Sequence, residues 1–348
     1  MKILEAVSTL NANGAVQYAS RIIPELVERG HEVTLAALPG SWIVRQWKGR
    51  IPIMETGFAR WPPSEFARFA ALFREGGFDV LHSHLTRANN FAAFLHIFHG
   101  VPNVAHAHEN KPHPHYWFHN LVLAVSRDTL RRHQRYGAGL GSRGAVLPNF
   151  VDTRVFRPAQ PGQPDPLRPL LGVPPKTPVL VQVGDICERK GQSVTLEALP
   201  AIWERFPDVH MAFIGRGEPL EKEGDSRVHW LGYREDVAEL LPQTTIALQP
   251  SLIEPFGFAA VEAMACGVPL VASWKDGLRE IINEGNAIPV KIASPGALAR
   301  AVNNLLADSP LRGRLASRAL QEAKARYSPE AHIQALLRHF FRVAAKNA

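Results

Sequence analysis

Short apolar runs and stretches of helical period alternate from the start of the chain. Ile3 to Val7 reads as a buried strand, and Ser8 to Gly14 as the polar loop that follows it. Val16, Ala19, Ile22, Ile23, Leu26 and Val27 recur at helical spacing until Gly30 ends the helix. Val33 to Leu38, Val80 to His82, Asn103 to Ala107 and Leu121 to Val125 are further strands between helical segments. Continuous apolar strands alternating with helices predict a parallel sheet covered on both faces.

Prolines 158, 161, 164, 166, 169, 174, 175 and 178 exclude a continuous helix or central strand in that stretch, so an interdomain linker is expected over 157–178. The alternation then restarts with strand Val179 to Val183, a helix from about Gln192, and strands His210 to Ile214 and Ile246 to Gln249. A helix from Phe258 and strand Leu270 to Ala272 follow. The expected fold class is therefore α/β: two doubly wound Rossmann-like domains, 1–156 and 179–327, facing across a cleft at the C-terminal ends of their strands. The last stretch, 328–348, reads as a helix with Ile333, Leu336, Leu337, Phe340 and Phe341 on one face. It can lie on the surface or cross back to brace the first domain.

The length of 348 residues fits two domains, and 46% hydrophobic with 20% charged residues reads as globular. Cys187 and Cys266 lie in different halves, which gives neither a disulfide framework nor a cysteine zinc site, and a reducing compartment is expected. Glu5 interrupts the first apolar run, so a signal peptide is not expected, and no run approaches the roughly 20 apolar residues of a spanning helix. A cytoplasmic protein, in solution or at the inner face of the membrane, fits these limits. The net charge of +7 suits anionic partners, but there is no zinc finger, aromatic RNA-binding signature or basic tail, so nucleic acid is not expected. Trp42 to Arg50, followed by Trp61, mixes aromatics with cations. It suits either an anionic membrane surface or an acceptor-side loop with buried tryptophans.

The strongest chemical signal is the run Glu254-Pro255-Phe256-Gly257-Phe258-Ala259-Ala260-Val261-Glu262, continuing to Gly267 and Pro269. A helix opening at Gly257 and Phe258 offers unpaired N–H groups and a positive dipole end, which suit a diphosphate. Gly257 allows close approach of a ligand to the backbone. A carboxylate on each side can accept hydrogen bonds from sugar hydroxyls: Glu254 from a transferred sugar, Glu262 from a ribose.

A second element, Val183 to Gly191, brings Arg189 and Lys190 to the start of the next helix, where cations can neutralise growing charge on a leaving group. A third, Val104 to Asn110, carries His106 and His108 on one face of a strand. His113, His115 and His119 are nearby, but their spacing is irregular and no acidic set converges, so no metal site is assigned. The loop Asn11 to Gly14 lies between the first strand and helix, and Tyr233 with Arg234 lies at a later strand end where a nucleotide base could sit.

These motifs resemble glycosyltransferase family four, retaining enzymes of the GT-B fold. The resemblance rests on Glu-x-Phe-Gly-x-x-x-x-Glu-Ala-Met-Ala-x-Gly-x-Pro, Gly30-His31-Glu32-Val33-Thr34, Asp79-Val80-Leu81-His82-Ser83-His84, Leu147-Pro148-Asn149 and Lys190-Gly191. It implies transfer from a nucleotide-diphosphate sugar to a sugar, lipid-linked or small-molecule acceptor, without a metal or other cofactor, in cell-surface polysaccharide or lipopolysaccharide assembly. It implies that His108 and Glu254 hold the sugar, that Lys190 acts on the donor phosphate beside Arg189 and the amides of Gly257, Phe258 and Ala259, and that Gly14 faces the phosphate. Two departures stand out. Asp185 occupies the position of a usual arginine, and Asn13 replaces one loop glycine. A nucleotide-sugar epimerase or phosphorylase on a similar frame, and a catalytically weak binding protein, are the competing classes; the absence of Gly-x-Gly-x-x-Gly argues against a dehydrogenase.

Overall fold

Strands form where the apolar runs are continuous, and each parallel neighbour is reached through a helix that covers one sheet face. The computed structural model describes residues 1–58, 63–220 and 224–345; Trp61 lies outside these residues. The chain divides into two units, Met1–Asn149 with Pro329–Ala348, and Phe150–Ser328.

The first unit holds β1 (Lys2–Val7), β2 (Glu32–Ala37), β3 (Ile53–Glu55), β4 (Val80–His84), β5 (Asn103–Ala107), β6 (Leu121–Ala124) and β7 (Gly144–Val146). Their order is β3-β2-β1-β4-β5-β6-β7, with every paired neighbour parallel. The second unit holds β8 (Val179–Val183), β9 (His210–Ile214), β10 (Val228–Trp230), β11 (Ile246–Gln249), β12 (Leu270–Ser273) and β13 (Ile288–Val290), in the order β10-β9-β8-β11-β12-β13. These pairs are parallel too. Chain order reverses beside β1 and β4 in one sheet and beside β8 and β11 in the other, which opens a crevice at the strand ends of each.

Three expectations change. The proline-rich stretch 157–178 belongs to the second unit: it contains the helix Leu167–Leu171 with Leu167 buried, and Arg168 donates to Thr177 O and Gln243 O. Proline excludes long elements there but not a packed short one. The outer strands β3, β7, β10 and β13 were not expected; at three residues each they are too short to show a period. The helix Pro329–Ala345 lies in the first unit and buries His332, Ile333, Leu336, Phe340 and Val343, while Phe341 is 54% exposed. His332 therefore takes the inward place that the apolar pattern gave to Phe341.

Candidate active site

In the second unit the loops after β8 and β11 meet at the reversal point. Leu252 N–H and Ile253 N–H donate to Arg189 O at 2.8 and 3.3 Å. Gly191 has φ +73°, and a Cβ there would come 2.3 Å from Pro250 O, so only glycine lets the loops touch. Lys190 Nζ reaches Glu254 Oε2 at 2.6 Å, and Gln249 Nε2 donates to the same oxygen at 3.0 Å. Asp276 Oδ2 accepts from Glu254 N–H at 3.2 Å. Glu254 is buried, and the lysine stem runs along Gly184, where a Cβ would sit 3.3 Å from Lys190 Cε. Two residues expected to share a ligand are thus brought together and hold each other in place.

The helix Phe258–Ala265 starts from Gly257 at φ +117° with no side-chain cap, so its first N–H groups have no partner inside the helix. A Cβ on Gly257 would lie 2.6 Å from Leu278 Cδ2. Phe258 and Ala259 are half-buried at this end, and Glu262 is buried one turn further in. Burial, and then the nearby Glu262 charge, push the Cys266 thiol well above its usual range, which leaves it inert.

Asp185 and Arg189 are both exposed, and Asp185 O accepts from Gln192 Nε2 at 3.0 Å. Tyr233 is half-exposed beneath the Arg216 guanidinium, 4.3 Å from its ring centre, while Arg234 is engaged by Asp236 at 2.8 Å. Arg216 is a cation that sequence reading missed. It follows Gly215, whose missing Cβ would otherwise lie 2.0 Å from Gly184 O, so its loop is pressed against the loop after β8. The small-residue string Gly215-Arg216-Gly217 after β9 was the available signal.

In the first unit the reversal point carries a buried polar network. Parallel register sets Glu5 of β1 against His82 of β4, and His84 against His106 of β5. Period-two alternation puts Glu5, His82, His84 and His106 on one face, with His108 just past the strand end. Glu5 Oε1 lies 3.0 Å from His82 Nδ1, and Glu5 Oε2 lies 3.0 Å from His84 Nε2. His82 Nε2 then meets His106 Nδ1 at 3.3 Å, and His84 Nδ1 meets His108 Nε2 at 3.1 Å. The His106 and His108 rings stack with centres 4.3 Å apart. Tyr18 packs on both rings, and its hydroxyl bonds His332 Nε2 at 2.8 Å.

Burial drives His82, His84, His108 and His332 down to about 3 and His106 well below its ordinary value, so all five imidazoles are neutral. Burial raises Glu5, and the hydrogen bond from His84 opposes that rise. Nitrogens of His82, His84 and His106 lie within 4.8 Å of one another, the one candidate metal set among the described residues. Both nitrogens of His82 and of His84 are already hydrogen-bonded, which makes the set a hydrogen-bond network rather than a free ligand shell. His108 was expected at the site; Glu5, His82, His84 and His332 were not. The Asp79-Val80-Leu81-His82-Ser83-His84 string held the signal, because alternate histidines on a buried strand must share a face.

Gly14 opens the helix Gly14–Glu28, and Asn13, standing in place of a loop glycine, caps it by accepting from Val16 N–H at 3.1 Å. His115 and His119 are buried rather than lying in a free loop, and His113 bonds Glu109 at 3.1 Å. Trp42 and Trp47 pack partly buried against a core cluster, with Trp47 Nε1 donating to Ser20 Oγ at 2.9 Å. Trp117 and Phe118 are among the exposed aromatics, and with Ile97 and Arg143 they border a shallow cavity of about 470 Å³. No helix among the described residues is long and apolar enough to cross a membrane.

Residues 12–155 match the family model described as Glycosyltransferase Family 4, and residues 177–308 match that described as Glycosyl transferases group 1. The chain is 30% identical over 344 residues to a phosphatidyl-myo-inositol mannosyltransferase of Mycolicibacterium smegmatis, covering 88% of this chain and 84% of the relative. It is 26% identical over 341 residues to the lipopolysaccharide core biosynthesis glycosyltransferase LpsE of Rhizobium meliloti, covering 93% of this chain and 94% of the relative. Among solved structures, Anabaena Alr3699/HepE in complex with UDP-glucose matches with a TM-score of 0.84 at 22% identity, over 98% of this chain and 100% of that one.

Proposed function

Because the chain belongs to glycosyltransferase family 4, with two Rossmann-like units of the GT-B type, we propose that it is a retaining, metal-independent enzyme acting on a nucleotide-diphosphate sugar. The observation that carries the reading is the Lys190–Glu254 contact beside the uncapped helix start. It supports a reading in which a cation, a hydroxyl acceptor and the positive end of a helix serve one strand-end crevice. Lys190, Arg189 and the amides at Gly257, Phe258 and Ala259 hold the diphosphate; Glu262 holds the ribose; Tyr233 flanks the base; Gly14 opens the phosphate-facing loop of the first unit. Glu254 and His108 hold the transferred sugar. With no protein nucleophile assigned, the protein works by positioning and by stabilising leaving-group charge.

The acceptor is a lipid-linked or cell-surface glycan precursor, a reading supported by the names of the two relatives. The test is incubation with UDP-glucose or GDP-mannose and a lipid acceptor in the presence of a chelator, with NMR of the product anomer. Inversion, or turnover abolished by the chelator, would overturn the mechanism. Contact with an anionic membrane surface is assigned to Trp117, Phe118, Ile97 and Arg143, an exposed apolar patch with a cationic member. Doubly substituting Trp117→Ala and Phe118→Ala should reduce cosedimentation with anionic vesicles, and unchanged cosedimentation would sink that assignment.

Nucleotide affinity separates the roles in the second unit. Glu262→Ala should weaken binding by about 1–3 kcal/mol, the cost of leaving a hydroxyl partner unpaired. Arg189 and Asp185 are both exposed, and the flexible arginine beside Lys190 supplies the cation that the usual position lacks. Arg189→Ala should therefore weaken donor binding strongly while Asp185→Arg is nearly neutral. A harmless Arg189→Ala with a gain from Asp185→Arg would mean that Asp185 faces and repels the phosphates.

A further inference from the structure

The buried network of the first unit contains four hydrogen bonds joining four imidazoles to one carboxylate. Neutral imidazoles carry one ring proton each, so an ionised Glu5 leaves one proton for every bond. The count then fixes each tautomer. Glu5 accepts from His82 Nδ1–H and from His84 Nε2–H. His82 Nε2 accepts from His106 Nδ1–H, and His84 Nδ1 accepts from His108 Nε2–H. The two atoms left at the ends, His106 Nε2 and His108 Nδ1, are bare lone pairs. They are also the two nitrogens of this network that are buried without a partner.

We propose that Glu5 and His84 are positioning residues that fix the tautomer of His108, so that its Nδ1 presents a lone pair to a hydroxyl of the transferred sugar. This rests on the reading of His108 as the sugar-contacting residue. A carboxylate behind two hydrogen bonds in series polarises the outer imidazole and makes Nδ1 a stronger acceptor. The same geometry couples protonation to function. One added proton on Glu5 reverses one arm: Glu5 O–H donates to His84 Nε2, His84 Nδ1–H donates to His108 Nε2, and the proton emerges at His108 Nδ1. The acceptor becomes a donor while every imidazole remains neutral. The groups facing the His84–His108 arm are Glu5, His82, His106, Tyr18 and His332. Tyr18 and His332 hold a separate bond: His332 Nδ1–H donates to Pro148 O at 2.8 Å, so its Nε2 accepts from the Tyr18 hydroxyl.

Two measurements on the full chain test this. In protein labelled with ¹⁵N-histidine, with His108→Gln identifying the signal, His108 should show a protonated Nε2 and an unprotonated Nδ1. Glu5→Gln offers one acceptor and one donor, so it must reverse one arm and protonate the outer nitrogen of His106 or His108. A protonated Nδ1 on His108 in the unsubstituted protein, no change in Glu5→Gln, or stoichiometric zinc in the purified protein would each overturn the proposal. In kinetics, His84→Phe should lower kcat by on the order of tenfold with donor KM nearly unchanged. His119→Phe alters an equally buried ring of the same unit that lies outside the network, and should leave kcat within about twofold. Equal losses in the two variants would mean a structural role only and would refute positioning. If His108→Ala also keeps full turnover, it is the sugar-contact reading that fails, while the tautomer stands on the NMR result.

Discussion

Lys190→Ala should lower turnover by about 10²–10³ while weakening donor binding far less. The ground state gives the lysine a partner already: Glu254 lies 2.6 Å away, and Gln249 also donates to that carboxylate. A lysine balanced in this way gains most when new negative charge appears nearby, which happens as the diphosphate leaves. Comparing the loss in kcat with the loss in donor affinity tests the idea, and equal losses would reduce Lys190 to simple binding. Removing the lysine also strands a buried carboxylate, so the single variant should be less stable. Adding Glu254→Gln to Lys190→Met should restore the unfolding temperature, which attributes the stability loss to the stranded carboxylate.

Acidification from about pH 7 to pH 5 should unfold the first unit before the second. His82, His84, His108 and His332 have folded values near 3 against an ordinary 6.5. Between those limits the unfolded chain binds protons that the folded chain refuses, so stability falls as pH falls. By pH 5 each fully buried imidazole contributes a loss of about 2 kcal/mol, and several together rival the whole stability of a domain. Glu5 works in the opposite sense, because its raised value favours the folded state most in acid, but it is one group against several. Every histidine buried among the described residues lies in the first unit. Hydrogen exchange followed by mass spectrometry, read unit by unit, checks this. Simultaneous loss of protection in both units would sink the explanation.

The long central strands and the Glu254–Glu262 helix start were legible in the sequence because their signals are local: continuous apolar runs, a glycine at a helix start and a proline after it. The Lys190–Glu254 pair was half legible. Each residue could be assigned, but their contact depends on β8 and β11 becoming neighbours across the intervening strands β9 and β10 and the helices between them. Glu5 was read as a polar interruption in an apolar run, because its partners lie 77 and 79 residues away. Trp42 and Trp47 read as a membrane-surface motif or as buried tryptophans of an acceptor-side loop, and only their packing, partly buried against a core cluster, favours the second. Phe341 and His332 exchanged expectations because hydropathy ranks phenylalanine above histidine and cannot register the Tyr18 hydroxyl waiting for a ring nitrogen.

The placement of the helix Pro329–Ala345 in the first unit bears on the order in which the molecule is made. His332 bonds Pro148 O across 184 residues and Tyr18 across 314, so the ribosome must deliver the entire second unit before the first can finish. Until then the faces of Tyr18, His82 and the neighbouring helix that Phe340 and His332 cover remain open to water and to chaperones. The order is reversible by design. Met1 N lies 3.2 Å from His31, whose ring packs 6.5 Å from Phe341, so the path from the helix Pro329–Ala345 back to Met1 is short. A permuted chain opened between Asn149 and Phe150, carrying residue 150 onward first and residues 1–149 last, would make the second unit as one uninterrupted stretch, then the first as another.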